Sequence, residues 1–248
     1  MLMKILRYEL KRIRLGRLCL IMLLCNIIYA CIWMWQIGLS GVGGTAPFSK
    51  WTYLAYCGAM LPAAVLSLLL IQANYYSEKH QKADILPLSS PYTAGKLMLI
   101  RITALLICFL IIFLGEYLLF AIPFALFFGT ADVLGYPLIG LIHMLPTVIL
   151  MLALGCLIGK IRGWLIYVLA AVSFITGLVQ FSVPFDLFGH KFFSEYPLKL
   201  PTGTAGEPAF EIVPLWICSR IVYFAIGAVI LLLSVRRNRK PTLDRAEN

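Results

Sequence analysis

The sequence predicts an all-α integral membrane protein with six transmembrane helices and with both termini in the cytoplasm. Of its 248 residues, 61% are hydrophobic, and the mean hydropathy of +0.91 excludes an ordinary soluble domain. The apolar residues form unbroken runs, each long enough for the about 20 residues of helix that cross a bilayer core. Lys and Arg residues collect on one side of these runs, which orients the chain.

The apolar runs number six. They lack the alternation of apolar and polar residues that is typical of the strands of a membrane β-barrel. The third run has 32 residues, and a straight helix of that length would extend about 48 Å. We therefore expect one tilted or kinked helix with a bend near Pro123. The predicted spans are Leu18–Leu39, Thr52–Tyr76, Leu97–Phe128, Leu138–Gly159, Trp164–Ser182 and Val213–Val235.

The orientation follows from the Lys and Arg residues. With both termini in the cytoplasm, 17 of the 21 lie on the cytoplasmic side. Splitting the third run into two spans would move the basic tail outside, so the charge bias argues against it. The net charge of +10 is scattered along the membrane margins and therefore does not indicate a nucleic-acid partner. The four Lys and Arg residues that do not lie on the predicted cytoplasmic side are Lys50, Lys191, Lys199 and Arg220.

Residues 1–17 predict an amphipathic helix that lies in the cytoplasmic membrane interface. Its basic residues are spaced by threes and fours, which places them on one helical face towards anionic headgroups. The alternative is the start of a cleaved signal peptide. It is disfavoured because the following apolar run is too long and no small-residue cleavage site is evident. The basic face carries Lys4, Arg7, Lys11 and Arg14, and the neighbouring apolar face carries Leu2, Met3, Leu6, Leu10 and Ile13.

The rest of the chain divides into one transmembrane domain, residues 18–235, and a basic cytoplasmic tail, residues 236–248. Two polar pieces interrupt the domain: a cytoplasmic segment, residues 77–96, and an outer loop, residues 183–212. The outer loop mixes charged and aromatic residues. This mixture favours a short helix that lies on the outer leaflet or dips into it.

Two ionisable residues fall inside the predicted spans, Glu116 in the third and Arg220 in the last. An ionisable group at membrane depth is costly, so it indicates a function or a buried partner. Arg220 is the candidate partner of Glu116, and such a pair could line a pathway. The alternative is that Glu116 lies near the outer end of its span and is solvated there. The distance from Leu97 to Glu116 along a helix is close to the hydrocarbon thickness, which slightly favours that alternative.

Motifs of soluble enzymes are missing from the sequence. It has no G-x-x-x-x-G-K-[ST] loop to cradle ATP, and no H-E-x-x-H or G-x-S-x-G motif. The three histidines lie in three different regions, so no metal or catalytic site is predicted, and His143 is expected to be packed. The seven cysteines form no C-x-x-C pair, and Cys19, Cys25 and Cys31 are expected to be small buried hydrophobic residues.

The polar stretch between the second and third runs carries the clearest local pattern. Ser77 can cap a short helix, which Pro87 ends because proline donates no N–H and clashes with the preceding turn. Ser90-Pro91 then supplies an N-cap and a first helical residue for the third span. The order along the chain is a glutamate, two leucines, a Ser-Pro and a lysine, at Glu78, Leu86, Leu88, Ser90-Pro91 and Lys96.

This pattern, with six spans and a basic amphipathic helix before the first, resembles the type-2 permeases of ATP-binding-cassette (ABC) exporters. The resemblance implies that Glu78–Leu86 is a coupling helix docking on a separate cytoplasmic ATPase. It also implies that the outer loop corresponds to that family's outer re-entrant helices. The sequence departs from the family pattern at Lys82-Ala83, where Gly-Thr is common, and at Pro87, which interrupts the leucine run. The implied coupling residues are Glu78, Lys79, Lys82, Asp84, Ile85, Leu86 and Pro91, with the charged ones as docking contacts and Ile85 and Leu86 as an apolar plug.

The function that the resemblance implies is that of a multi-pass permease subunit of an ABC exporter in the cytoplasmic membrane. The chain itself would be no enzyme and would hold no cofactor, since ATP and Mg would bind to the ATPase partner. A second copy of the chain, or a related permease, would complete the pathway within the bilayer. Two alternatives stay open: a non-transporting sensor or immunity subunit, and an integral-membrane enzyme, which would need acids, histidines or a nucleophile clustered at one depth.

Overall fold

A computed structural model of the chain describes residues 2–14, 17–76, 94–129, 135–179, 186–203, 208–211 and 213–237. These ranges are helical apart from short connections, and they contain no strand. A π-helical turn, Met34–Gly38, extends the second helix, and a 3₁₀ turn, Tyr196–Lys199, follows the seventh. The helices are α1 (Leu2–Arg14), α2 (Arg17–Trp33), α3 (Lys50–Tyr75), α4 (Ala94–Phe128), α5 (Tyr136–Ile161), α6 (Leu165–Leu178), α7 (His190–Glu195) and α8 (Pro214–Arg237).

Five of these helices are long and apolar enough to cross a membrane: α2 with its π-helical turn, α3, α4, α5 and α8. The chain is therefore a multi-pass, all-α membrane protein. The third predicted span is confirmed as one helix, because α4 runs through Pro123 for 35 residues. The fifth predicted span is different. Its helix α6 has 14 residues and extends about 21 Å, which is less than a bilayer core of about 30 Å.

The helix α3 lies at the centre of the bundle. It packs against α2, α4, α5, α6 and α7, and 89% of its most apolar stretch is buried. The corresponding share for α2 and for α8 is 17%, so these two helices present apolar faces outwards. Small side chains let neighbouring helices approach a backbone closely. On α3 the buried small residues include Ala55, Gly58, Ala59, Ala63 and Ala64.

Buried hydrogen bonds from side chains also join α3 to three of its neighbours. They link α3 to α2, to α4 and to α5. Few competing hydrogen-bond partners exist at membrane depth, so bonds of this kind help to fix one packing arrangement of the helices. The donor–acceptor pairs are Asn26 Nδ2 to Ser67 Oγ at 2.6 Å, Tyr56 Oη to the Glu116 carbonyl at 3.2 Å, and Gln72 Nε2 to the Leu152 carbonyl at 3.1 Å.

The amphipathic helix α1 packs on α4 and α2. Of its predicted apolar face, Ile13 is buried and Leu6 and Leu10 pack against the core, while Met3 is 76% exposed. Arg7, on the predicted basic face, is exposed. The apolar face of α1 therefore packs against the neighbouring helices, and Arg7 lies on its outer side.

Close contact between α3 and α7 depends on a glycine. A Cβ atom added to Gly58 would lie 2.7 Å from the backbone nitrogen of His190, so α7 would have to shift. Gly115 on α4 is a matched contrast, since a Cβ atom there would meet nothing within 4 Å.

We expect Gly58→Ala to lower the thermal unfolding midpoint of the purified protein in detergent. Forcing a methyl group into a packed contact costs about 1–3 kcal/mol, which outweighs the roughly 1 kcal/mol that alanine gains over glycine inside a helix. The control, Gly115→Ala, should leave the midpoint unchanged or raise it. Equal midpoints for Gly58→Ala and the parent protein would show that α7 does not pack on α3 in this way.

Candidate functional site

The residues implied for ATPase coupling lie outside the described residues. The structure does describe the helices on either side: α3, which ends at Tyr75, and α4, which begins at Ala94. The coupling role therefore stays a prediction for Glu78, Lys79, Lys82, Asp84, Ile85, Leu86 and Pro91.

A three-helix junction lies where α3 ends and α4 begins. The Nε atom of Arg101 on α4 is 3.5 Å from Oε1 of Glu9 on α1, and Glu9 is only 1% exposed. The Arg101 guanidinium also stands 4.9 Å from the ring centroid of Tyr75 on α3. Glu9, Tyr75 and Arg101 thus tie α1, α3 and α4 together. The sequence analysis did not single out Glu9, although it is the one acidic residue among the first 17.

Arg220 on α8 holds a segment at the opposite end of the bundle. Its side chain is buried, and it donates from Nη1 to Oγ1 of Thr147 on α5 at 3.0 Å and to the carbonyl of Leu187 at 2.7 Å. From Nη2 it donates to the carbonyl of Asp186 at 2.8 Å. Its guanidinium also lies 5.5 Å from the ring centroid of Trp216. Arg220 therefore binds two consecutive backbone carbonyls of what we call the docked segment, residues 186–199.

The docked segment is also stabilised from within. The carboxylate of Asp186 accepts hydrogen bonds from the backbone N–H of Gly189 at 2.7 Å and of Phe192 at 3.0 Å, which caps the start of α7. Gly189 has a φ of +78°, which favours glycine, and a Cβ atom there would collide with the ring of His143. A short helix does form within residues 183–212, and it packs on α3 and against His143 of α5 and Trp216 of α8. Its position on or in the outer leaflet stays a prediction.

His143 on α5 is packed, as predicted. Its ring stacks on Trp216 at 5.6 Å between centroids and meets Phe193 edge-on at 5.2 Å. The rings of His143 on α5 and Trp216 on α8 thus form an aromatic layer on which Phe193 of α7 packs.

Glu116 and Arg220 do not pair. Arg220 is bonded to Thr147 and to the docked segment, whereas neither carboxylate oxygen of Glu116 has a hydrogen-bond partner among the described residues. The candidate pair is therefore absent from the structure, because Arg220 finds its acceptors in Thr147 and in backbone carbonyls that the sequence could not locate. The alternative of a solvated Glu116 also differs from the structure, in which Glu116 is 5% exposed.

A cavity of about 260 Å³ lies beside Glu116, between α2 and α4. Asn26 on α2 is its second polar lining residue. This side chain is 4% exposed and donates from Nδ2 to the carbonyl of Met22 and to Ser67, which leaves its Oδ1 atom without a partner among the described residues. The sequence analysis missed Asn26, although it is the one amide side chain between Leu18 and Trp33.

The described part of the chain contains no group of three His, Cys, Asp or Glu side chains that could hold a metal ion. All seven cysteines are free. Cys25 and Cys31 are exposed and not buried as expected, because their faces of α2 turn away from the bundle.

Comparison of the chain with protein-family models, with curated proteins and with solved structures gives no match. The helices alone therefore define the class, a multi-pass all-α membrane protein. The described polar features that bear on function include the three-helix junction, the docked segment and the cavity beside Glu116.

Arg220→Gln should release the docked segment. Losing hydrogen bonds from a buried charged donor is expected to cost at least about 2 kcal/mol, and amide exchange at Gly189 and Phe192 should become faster. Hydrogen exchange followed by mass spectrometry measures this directly. The control, Arg162→Gln, alters an exposed arginine and should leave exchange in the docked segment unchanged. Unchanged exchange in Arg220→Gln would contradict the role of Arg220.

His190, at the start of α7, should make stability depend on pH. Burial lowers the pKa of His190, and the carboxylate of Asp186 partly opposes that shift. The unfolded chain then binds the proton more readily, so stability contributed by neutral His190 is present above about pH 6.5 and is lost as the pH falls. We expect the thermal midpoint to drop less in His190→Gln than in the parent protein between about pH 7.5 and pH 5. Equal drops would exclude this role for His190.

Proposed function

We propose that the chain is the permease subunit of an ABC exporter, driven by a separate cytoplasmic ATPase. In this proposal the five long helices and α6 are the six spans, and both termini lie in the cytoplasm. The observation that supports it is the three-helix junction, because it joins the two helices that border residues 77–93 to α1.

The junction is placed to transmit movement. A force applied to the chain between α3 and α4 acts on the ends of both helices, and Arg101 ties those ends together with Glu9 of α1. Because α3 packs against five neighbouring helices, it cannot shift alone. A displacement at the junction would therefore rearrange the whole bundle, as a transport cycle requires.

The opposite end of the bundle suits the same function. The docked segment covers α3 and is held across α5 and α8 by Arg220. It lies in the outer loop that the resemblance relates to the outer re-entrant helices of type-2 permeases. The cover is held by hydrogen bonds from Arg220 and by packing of Phe193 on Trp51 and Trp216. Its release would break these contacts and leave the helices of the spans intact.

Partners and cofactors follow from this proposal. ATP and Mg would bind to the ATPase, and a second copy of the chain or a related permease would complete the pathway. The outward apolar faces of α2 and α8 offer surfaces for that second permease and for lipid.

A non-transporting membrane sensor or immunity subunit is the second candidate. The cavity between α2 and α4 favours it, because a binding pocket needs no moving cover. Such a protein would not require an ATPase, so purifying the chain together with its partners separates the two candidates.

The test is to purify the tagged chain from native membranes in mild detergent and to identify what accompanies it. We expect a stoichiometric soluble protein with a Walker A loop. Reversing two charges, with Glu78→Lys and Asp84→Lys together, should remove it while leaving the chain inserted, because like charges would replace the docking contacts.

The matched control reverses two exposed acidic residues near α7 and α8, with Glu195→Lys and Glu211→Lys together. It should retain the soluble partner. A chain that arrives alone in several mild detergents would reject the exporter proposal in favour of the sensor.

A further inference from the structure

We propose that the cavity between α2 and α4 binds a compact lipophilic amine, whose ammonium group pairs with the carboxylate of Glu116. This inference concerns binding alone and does not rest on transport.

The size and walls of the cavity define the apolar part of the ligand. Leu23 and Ile27 of α2 and Ile111 and Leu118 of α4 line about 260 Å³ of space that is open on one side, where Ile111 is 54% and Leu118 is 45% exposed. An apolar cavity of about 150 Å³ accepts benzene, so this one has room for a ring system larger than a single ring. Hydrocarbon walls of this kind favour a ligand that also partitions into the membrane.

Unpartnered polar atoms that lie just behind the apolar cavity wall define the headgroup. Both carboxylate oxygens of Glu116 and Oδ1 of Asn26 lack hydrogen-bond partners among the described residues. The Asn26 amide is oriented by its Nδ2 atom, which donates to two acceptors. When Glu116 is ionised, all three unpartnered atoms are acceptors, and the group that satisfies them must be a donor.

A positive charge fits better than a neutral donor. A buried carboxylate without a partner is costly, and a cation beside it offsets that cost. The described cation at similar burial, Arg220, is already bonded to Thr147 and the docked segment. A ligand that brings its own ammonium group would supply the missing charge, whereas an anion would be repelled.

Binding also requires a small movement of Glu116. Its carboxylate oxygens are covered by neighbouring side chains, although the residue lines the cavity. Rotation about the side-chain bonds, between staggered rotamers, would carry the carboxylate towards the cavity. The ion pair formed there, at low dielectric, would be stronger than the same pair in water.

The test compares 1-aminoadamantane with 1-adamantanol, which share one compact apolar cage and differ in charge. Affinities are measured by equilibrium dialysis on the purified full chain in detergent near neutral pH. We expect the amine to bind at least about tenfold more tightly than the alcohol. In Glu116→Gln the amine should lose about tenfold in affinity, while the affinity for the alcohol stays the same.

Two control variants separate charge from shape. Gly115 lines the cavity, and a Cβ atom there meets nothing within 4 Å, so Gly115→Leu should fill the cavity without strain and weaken both probes alike. Glu195→Gln removes an exposed carboxylate that lies 3.9 Å from Lys191 and should change neither affinity.

Three results would each overturn the proposal. They are no binding of the amine to the parent chain, equal affinities for amine and alcohol, or an unchanged amine affinity in Glu116→Gln. If Glu116→Gln does not fold, the effect of Gly115→Leu and the preference of the parent chain for the amine still decide the matter: the proposal fails if either is absent.

Discussion

The close packing of helices around α3 is the constraint on which the rest of the structure depends. Small side chains along α3 let five other helices approach its backbone, and buried hydrogen bonds from three residues fix their positions. One arginine acts near each end of this core. Arg101 ties α1 and α4 to the end of α3, while Arg220 holds the docked segment over its beginning. Both arginines join helices or segments of the bundle through buried contacts. The side chain of Glu116 makes no such bond to the described residues, and we therefore propose it as a binding group.

The two ends of the bundle are held together by different contacts, and this difference suits the movement that the proposed transport requires. At one end, Arg101 of α4 contacts both other helices of the junction, through an ion pair with Glu9 of α1 and through the ring of Tyr75 of α3. The other end is closed by a short segment whose backbone carbonyls bond to a side chain on α8. In the proposed transport cycle α3 would couple the two ends, because it runs between them and packs against five neighbouring helices. Such a link would pass through one packed element.

Much of the fold could be predicted from the sequence, because length and apolar composition decide where a chain can cross a bilayer. The five long helices follow from that rule. The unbroken α4 is predicted from the distribution of Lys and Arg, because splitting the third run would move the basic tail outside. The fifth predicted span shows the limit of the rule. An apolar run gives no sign of where the helix within it ends, and here the helix has only 14 residues. Partners of buried charges were harder to predict. Arg220 binds backbone carbonyls of Asp186 and Leu187, and carbonyls carry no signature in a sequence. Glu9 and Asn26 did carry a signal, each being a polar residue out of keeping with its surroundings.

We propose that the chain between α3 and α4 contacts an ATPase. A photoreactive amino acid placed at Ile85, followed by irradiation of native membranes, tests this contact. We expect one crosslinked product, a soluble protein with a Walker A loop, which disappears when Glu78 and Asp84 are replaced by lysine. Crosslinks only to lipid or within the chain itself would rule out the contact.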